Sequence, residues 1–181
     1  AVEGAFRQLA LGNVVMPQRV VVKPPDHNGI HLGMPAYVGG DVGGLGLKVV
    51  TVYHDNPKKH ALPTTIGVLL LNDPETGAPV AIMDASYLTA MRTGATGGVA
   101  ARYLARPGAE NAVVFGAGVQ ARTQLAAVCA VRPIRRAWVV DPDGAARNRY
   151  AEEMSRQLGI AVEPIEAVQA AVEQADVIVA A

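Results

Sequence analysis

The sequence predicts an α/β domain preceded by a smaller α+β lobe, and three features support this prediction. The apolar run 113–115 breaks into the pattern Gly-x-Gly-x-x-Ala, which ends at Ala121. Another apolar run, 137–140, closes at Asp141. The segment between them has the small and apolar residues of a crossover helix, and residues 176–181 have the pattern of a further buried parallel strand. This alternation is typical of a Rossmann-type dinucleotide-binding domain.

The glycine pattern suits a turn that binds a pyrophosphate. Gly116 allows a tight turn, Gly118 lets a ligand approach the backbone, and Ala121 lets the helix pack closely on the strand. The amide groups that open the helix would face the phosphates, where the helix dipole is positive. A purely structural glycine turn is the alternative interpretation.

An acidic residue after the second strand predicts the type of cofactor. Asp141 lies about 20 residues after the glycines, where Rossmann domains place the acid that binds the ribose hydroxyl groups. Because its carboxylate would repel a 2′-phosphate, the sequence predicts NAD rather than NADP. Arg147 is close enough in sequence to leave NADP open.

Residues 1–85 have a different pattern and are predicted to form the separate α+β lobe. β-Branched and apolar runs separated by Pro, Gly and Asn predict a mostly antiparallel sheet. An amphipathic helix is expected at 2–11, strands at 19–23, 47–53, 66–71 and 79–83, and a turn at 73–77. A connecting helix at 86–107 then leads to the Rossmann domain at 108–181.

Three glycines interrupt the connecting helix: Gly94, Gly97 and Gly98. Each costs about 1 kcal/mol relative to alanine, so we expect another backbone or a ligand to approach this face closely. Arg92 and Thr93 lie directly before the glycines and would present a cation and a hydroxyl group there. The alternative is ordinary helix-to-helix packing, with Arg92 in a salt bridge.

Lys48 interrupts the apolar run 45–52, on the face that it shares with Val50 and Val52. An unpaired buried ammonium group is costly, so the lysine must reach solvent, pair with an acid or face a cleft. One interpretation is a lysine directed at a substrate carboxylate or carbonyl group. The other is an edge-strand lysine that discourages aggregation.

The composition excludes several classes of partner. Half of the residues are apolar, 4% are aromatic, and 16 acidic residues balance 16 basic residues. This balance predicts no nucleic acid partner and no membrane partner, and the lack of a long apolar stretch or a signal peptide predicts a cytoplasmic protein.

Cysteine and histidine usage predicts no metal site. The single Cys129 is expected as a small core residue in the crossover helix, which excludes a disulfide framework within one chain. His27, His31, His54 and His60 fall in loop-like sequence without a helical His-x-x-x-His pair, so zinc is not expected.

Several segments together resemble the ornithine cyclodeaminase and mu-crystallin family, which includes the archaeal-type alanine dehydrogenases. The segments, in chain order, are MPQRVVV at 16–22, GMPAYVGG at 33–40, GLGLKVVTVYHDNP at 44–57, LPTTIGVLLLNDPETGAP at 62–79, LTAMRTGATGGVAARYLARPGA at 88–109 and VVFGAGVQAR at 113–122. The resemblance implies a two-lobed, homodimeric, NAD(P)-dependent enzyme that acts at the α-carbon of an amino acid or of the corresponding imine. The first lobe would then bind substrate and form the dimer.

The resemblance also implies roles for individual residues. Arg19, Lys48 and Arg92 would bind the substrate, with Lys48 catalytic and near the reacting carbon. The residues implied to contact the cofactor are Thr64, Arg92, Thr93, Gly116, Gly118, Val119, Gln120, Ala121 and Asp141.

Three reactions fit this residue set. Hydrolysis of an imine with release of ammonia gives a dehydrogenase, internal attack by a side-chain amine with return of the hydride gives a cyclodeaminase, and reduction of a cyclic imine gives a ketimine reductase. A non-catalytic NAD(P)-binding protein like mu-crystallin is a further alternative.

In the family, an aspartate that acts in proton transfer comes from a later loop. The chain starts without Met and stops at Ala181, before that region, so we expect a truncated chain that lacks part of both lobes.

Overall fold

The computed structural model describes residues 1–41 and 43–181, which divide into two compact units, Ala1–Thr89 and Ala90–Ala181. The first unit contains an antiparallel sheet and the second a parallel sheet. The predicted fold class, a Rossmann-type α/β domain after an α+β lobe, is therefore confirmed.

In the described part of the first unit, six strands form the sheet in the order β1-β3-β4-β5-β6, with β2 also paired to β3. The elements are α1 (Val2–Ala10), β1 (Val14–Val15), β2 (Val20–Val22), β3 (Gly29–Val38), β4 (Gly44–Tyr53), α2 (Asn56–Lys59), β5 (Thr65–Asn72) and β6 (Pro79–Asp84). The helix expected at 2–11 and the four expected strands are all present, with small differences at their ends.

The ten-residue strand β3 was not expected, and His31 lies within it rather than in a loop. Proline and glycine weaken the strand signal of this segment. Pro35 pairs with Leu47 on β4, and on its other side the described pairing passes from β2 at Gly33 to β1 at Tyr37. The proline thus lies beside a break in the neighbouring strands, where a missing N–H group is tolerated.

Helix α3 (Ser86–Leu104) begins in the first unit and ends in the second. The N–H groups of Ser86 and Tyr87 donate to Asp84 Oδ1 at 3.0 and 3.4 Å, which satisfies two of the free donors at the start of the helix. The helix ends a few residues before Pro107, which could not continue it.

The second unit contains the Rossmann-type arrangement. Its elements are β7 (Asn111–Phe115), α4 (Val119–Cys129), β8 (Arg136–Val140), α5 (Gly144–Leu158), β9 (Ala161–Pro164), α6 (Val168–Gln174) and β10 (Val177–Ala180). The strands are parallel, in the order β10-β7-β8-β9. No helix or strand was predicted between residues 142 and 175, where the structure has α5, β9 and α6.

The parallel sheet is covered on both faces. On one face, Val114 and Val139 pack in a buried cluster with Leu125 of α4 and Met154 of α5. On the other face, a smaller cluster forms around buried Trp138. Cover on both faces explains why these strands are continuous apolar runs rather than alternating ones.

The glycine-bearing face of α3 packs on α4. A Cβ atom added at Gly94 would lie 2.5 Å from the carbonyl oxygen of Thr123, and one at Gly98 would lie 3.0 Å from Ala127 Cβ. At these two positions the close neighbour is a helix, so the structure favours the packing alternative over a ligand cleft. Gly97 is less crowded, with Gln124 Oε1 at 3.5 Å from the added atom.

Cys129 lies at the end of α4, partly buried against the larger cluster. Burial raises the pKa of its thiol to about 11, because the charged thiolate loses solvation. The thiol is therefore neutral near pH 7 and behaves as a small apolar side chain.

Candidate functional site

The glycine turn of the second unit lies between β7 and α4. Gly116 has φ +100°, and a Cβ atom there would collide with the carbonyl oxygen of Ala181, so only glycine fits. Gly118, the N-cap residue directly before α4, has open space where a Cβ would lie. Within the described residues no side chain caps this helix, so the N–H groups of its first turn are available to a ligand.

The residues of the first turn of α4 differ in exposure. Val119 is exposed, and Ala121 is fully buried against the sheet, which provides the close helix-to-strand packing expected from the motif. Gln120 is partly buried, and its Oε1 atom has no hydrogen-bond partner in the part of the chain that the structure describes. This oxygen is a spare acceptor beside the turn.

Asp141 lies just after β8, beside the glycine turn. Its Oδ2 atom accepts a hydrogen bond from the Ala117 N–H group at 2.8 Å, and Oδ1 accepts one from the Asp143 N–H group at 2.8 Å. The carboxylate thus ties the glycine turn to the loop after β8. A carboxylate has about four acceptor positions, so Asp141 keeps capacity for two ribose hydroxyl groups.

Arg122 braces the same turn, a role that was not expected from the sequence. Its Nη1 atom donates to the carbonyl oxygens of Ala117 at 2.5 Å and Gly118 at 3.0 Å. Its Nε and Nη2 atoms donate to Glu153 Oε2 at 3.0 and 2.8 Å. Arg122 therefore holds the carbonyl groups of the turn, and among the described residues no side chain caps the amide groups that follow.

Tyr150 also contacts this brace. The Arg122 guanidinium lies 5.1 Å from the ring centroid of buried Tyr150, whose hydroxyl group donates to the Ala121 carbonyl oxygen at 3.0 Å. The pKa of Glu153 is lowered, first because Arg122 donates to it. The only sequence signal for the brace is an arginine directly after the glycine motif.

Lys48 of the first unit lies on β4, between Met34 of β3 and Leu69 of β5. Since β4 is paired on both sides, the edge-strand interpretation of Lys48 is wrong. Lys48 is partly buried, on the same face as buried Val50.

Arg19 and Thr64 occupy different positions relative to Lys48. Arg19 is exposed and directly precedes β2, where Val20 pairs with Gly33. Gly33 is next to Met34, the residue of β3 that pairs with Lys48. Thr64 accepts a hydrogen bond from the Tyr53 N–H group, at the far end of β4, and so lies well away from Lys48.

Arg92 and Thr93 lie on α3 in the second unit. Arg92 is exposed, and Thr93 is partly buried one residue before the packed Gly94. The exposed guanidinium is available to a ligand.

A cavity of about 320 Å³ in the second unit contains none of the expected site residues. It is mostly apolar and lies between α3 and β10, lined among others by Gly97, Leu104, Asp176 and Ile178.

The described residues contain no group of three His, Cys, Asp or Glu side chains that could hold a metal ion. None of the described helices is long and apolar enough to cross a membrane.

The parallel sheet, the glycine turn and Asp141 together define a Rossmann-type unit with a site for a dinucleotide. The chain belongs to the ornithine cyclodeaminase/mu-crystallin family, whose model matches residues 1–181. The family resemblance carried by the sequence motifs is therefore confirmed.

Known proteins of this kind resemble the chain over almost its whole length. The structure of Thermococcus litoralis Δ1-pyrroline-2-carboxylate reductase, in complex with NADH and L-proline, is 46% identical with a TM-score of 0.93, and the match covers 99% of this chain and 55% of that one. An archaeal alanine dehydrogenase dimer with bound NAD is 38% identical, with a TM-score of 0.88 and coverage of 99% and 53%. Alanine dehydrogenase of Archaeoglobus fulgidus is 40% identical over 167 residues, which are 92% of this chain and 50% of that protein. The chain spans about half the length of the curated relatives that it matches.

Proposed function

We propose that the chain belongs to an NAD-dependent enzyme that acts at the α-carbon of an amino acid through an imine, of the alanine dehydrogenase or ornithine cyclodeaminase type. The observation that carries the proposal is the open glycine turn joined to Asp141 by the Ala117 N–H group. The reductase and the alanine dehydrogenase whose structures resemble this chain hold NADH and NAD.

The second unit would hold the cofactor. The amide groups of Val119, Gln120 and Ala121 would bind the pyrophosphate, and Asp141 would bind the adenosine ribose. Bound NAD would accept or return a hydride at the α-carbon. The Asp141 carboxylate supports NAD as the cofactor, with NADP as the weaker alternative.

The first unit would hold the substrate. Arg19 would bind the substrate carboxylate, and Lys48 would act at the reacting carbon, where it could stabilise a carbonyl oxygen or protonate a nitrogen. Thr64, Arg92 and Thr93 would supply further contacts to the cofactor or substrate.

The second candidate is reduction of a cyclic imino acid. It is favoured by the 46% identity and TM-score of 0.93 to the Thermococcus litoralis reductase. The two candidates differ in direction and in substrate: an open-chain amino acid that loses its amino group, or a cyclic imine that gains a hydride.

A panel of substrates on the full-length protein tests the proposal. Oxidation of alanine and proline with NAD⁺, and reduction of pyruvate with ammonia and of cyclic imino acids with NADH, are followed through the absorbance of NADH. Cyclodeamination of ornithine and lysine returns the hydride and leaves NAD⁺ unchanged overall, so it is followed through the release of ammonia. Turnover of alanine or ornithine supports the first candidate, and NADH consumption with a cyclic imine alone supports the second. NADH binding without any turnover would instead indicate a mu-crystallin-like binding protein.

We also propose a homodimer, as in the archaeal alanine dehydrogenase. Large aliphatic side chains on the strands of the first unit are exposed, including Val20, Val80 and Ile82. Light scattering coupled to gel filtration should give a dimer mass, and a monomer would contradict this proposal.

A further inference from the structure

Arg147 and Glu166 form an ion pair at the carboxyl ends of two neighbouring strands. Arg147 lies in α5, and Glu166 follows β9. Arg147 Nη2 lies 2.8 Å from Glu166 Oε1, and Arg147 Nη1 donates to the backbone carbonyl oxygen of Asp141 at 3.0 Å. The guanidinium therefore lies beside the residue that the proposed function assigns to the adenosine ribose.

The two partners of this ion pair differ in how firmly they are held. The Arg147 side chain is 14% exposed, whereas the Glu166 side chain is 85% exposed. Arg147 is anchored by the Asp141 carbonyl group, and its buried Nε atom has no partner among the described residues. The exposed Glu166 carboxylate can return to solvent at little cost to itself, whereas the largely buried Arg147 guanidinium needs another anion in its place. Arg147 is thus a fixed cation whose counter-ion can be exchanged.

The charges around Arg147 determine which anion it could accept. Asp141 lies on one side, and Asp143 is committed to the start of α5, where it accepts from the N–H groups of Ala145 and Ala146. A phosphate group is a strong bidentate acceptor for a guanidinium, and Rossmann domains that use NADP place an arginine near the 2′ position. In this chain the Arg147 Nη2 atom already donates to Glu166 Oε1, so it is not free to bind a phosphate group.

We propose that Glu166 determines cofactor specificity by occupying Arg147, so that the 2′-phosphate of NADP finds no free cation to offset its repulsion by Asp141. The inference rests on the proposed function, since it requires a dinucleotide on the second unit. Glu166 is a specificity-determining residue that affects the affinity for NADP. The affinity for NAD does not depend on it, because NAD has no 2′-phosphate.

Titration of the full-length protein with NADH and with NADPH, followed by nicotinamide fluorescence at one ionic strength, tests the inference. Glu166→Gln should lower the Kd for NADPH about tenfold and leave the Kd for NADH close to the wild-type value. Adding Arg147→Met to Glu166→Gln should remove the gain. Glu163→Gln is the matched control, because Glu163 is a carboxylate on β9 that pairs with Arg136 at 3.4 Å. This control should change neither Kd.

The outcomes separate this inference from the proposed function. An unchanged NADPH Kd in Glu166→Gln, with normal NADH binding, would overturn the inference alone. An equal gain in Glu163→Gln would also overturn it, because the effect would then be one of overall charge. Failure of the wild-type protein to bind either nucleotide would overturn the proposed function as well.

Discussion

The two units differ in how they cover their sheets. In the second unit, Val113, Val114 and Val139 have no exposed surface, because helices cover both faces. Among the described residues of the first unit, Val50 and Ala85 are the apolar residues that are buried, whereas Val80 is 66% and Ile82 75% exposed. The second unit has its own hydrophobic core, and the first has strands of similar composition without one.

The difference shows that apolar strands alone do not specify a core. Burial contributes about 25 cal/mol per Å² of apolar surface, so the first unit leaves much of its stabilisation unused within a single chain. This is the physical argument for the proposed homodimer. It also predicts that substitutions in the second unit change stability, whereas those at the proposed substrate residues of the first unit change turnover.

The largest expected effect is on catalysis, from Lys48→Met. The variant should fold, because methionine fills a partly buried strand position at no cost in desolvation, and it should still bind NADH. Turnover should fall about 100-fold or more if Lys48 acts in proton transfer. Steady-state rates and NADH titration on the same preparation separate the two properties.

Lys58→Met is the control for this substitution, since Lys58 is an exposed lysine of the same unit, on α2. It removes the same charge and should leave turnover near the wild-type rate. A Lys48→Met enzyme with wild-type turnover would show that the lysine plays no part in the chemistry. Loss of NADH binding in that variant would contradict the division of roles between the units.

The parts of the fold that could be predicted are those in which local chemistry is decisive. The glycine turn, β7, β8 and β10 follow from apolar runs and from the conformation that Gly116 must adopt. Strand β3 could not be predicted, because the register around Pro35 depends on where two other strands stop. Helix α5 was not expected, although the sequence carries signals for both of its ends: Asp143 accepts from the N–H groups of Ala145 and Ala146 at its start, and Gly159 adopts a left-handed conformation at its end.

In the candidate site, too, local patterns could be predicted and contacts between distant residues could not. Asp141 lies beside the glycine turn because β8 is the parallel neighbour of β7. The glycine motif and the spacing of Asp141 from it are enough to predict this position. The Arg122–Glu153 brace and the Arg147–Glu166 pair join residues 31 and 19 positions apart. Such pairs depend on how α5 and the loop after β9 pack, which no local pattern encodes.

The next effect concerns helix packing in the second unit, tested by Gly94→Ala. A methyl group at Gly94 meets the Thr123 carbonyl oxygen at 2.5 Å, so α3 and α4 must separate. The cost should be about 1–3 kcal/mol, more than the gain in helix propensity. Thermal unfolding followed by fluorescence of Trp138, the single tryptophan, reports on this unit.

Gly97→Ala is the matched control on the same helix. Its methyl group would have Gln124 Oε1 at 3.5 Å, an ordinary contact, so helix propensity should raise stability by up to about 1 kcal/mol. Opposite signs at Gly94 and Gly97 are the expected result. Stabilisation by both would mean that α3 does not pack on α4 as described.

The smallest expected effect is the acid sensitivity of two aspartates, one in each unit. Asp176 Oδ2 accepts from the N–H groups of Glu110 at 2.8 Å and Asn111 at 3.0 Å, which lie 66 and 65 positions away. Asp73 Oδ1 accepts from the N–H groups of Glu75 at 2.7 Å and Thr76 at 3.0 Å, within one turn. Backbone hydrogen bonds are the main cause that lowers the pKa of both carboxyl groups.

A carboxyl group whose pKa is lower in the folded state stabilises the protein above its unfolded pKa of about 3.9, and this stabilisation is lost as the pH falls through the folded pKa. Asp176→Asn should therefore lower stability most near pH 7, and its difference from wild type should shrink as the pH falls from about 5 towards 3. Asp73→Asn should have a smaller effect, because it loosens a local turn rather than the junction of β7 and β10. Denaturation followed by Trp138 fluorescence for the second unit, and by circular dichroism for the whole chain, measures both. A constant difference for Asp176→Asn across this pH range would show that the charge of Asp176 does not stabilise the second unit.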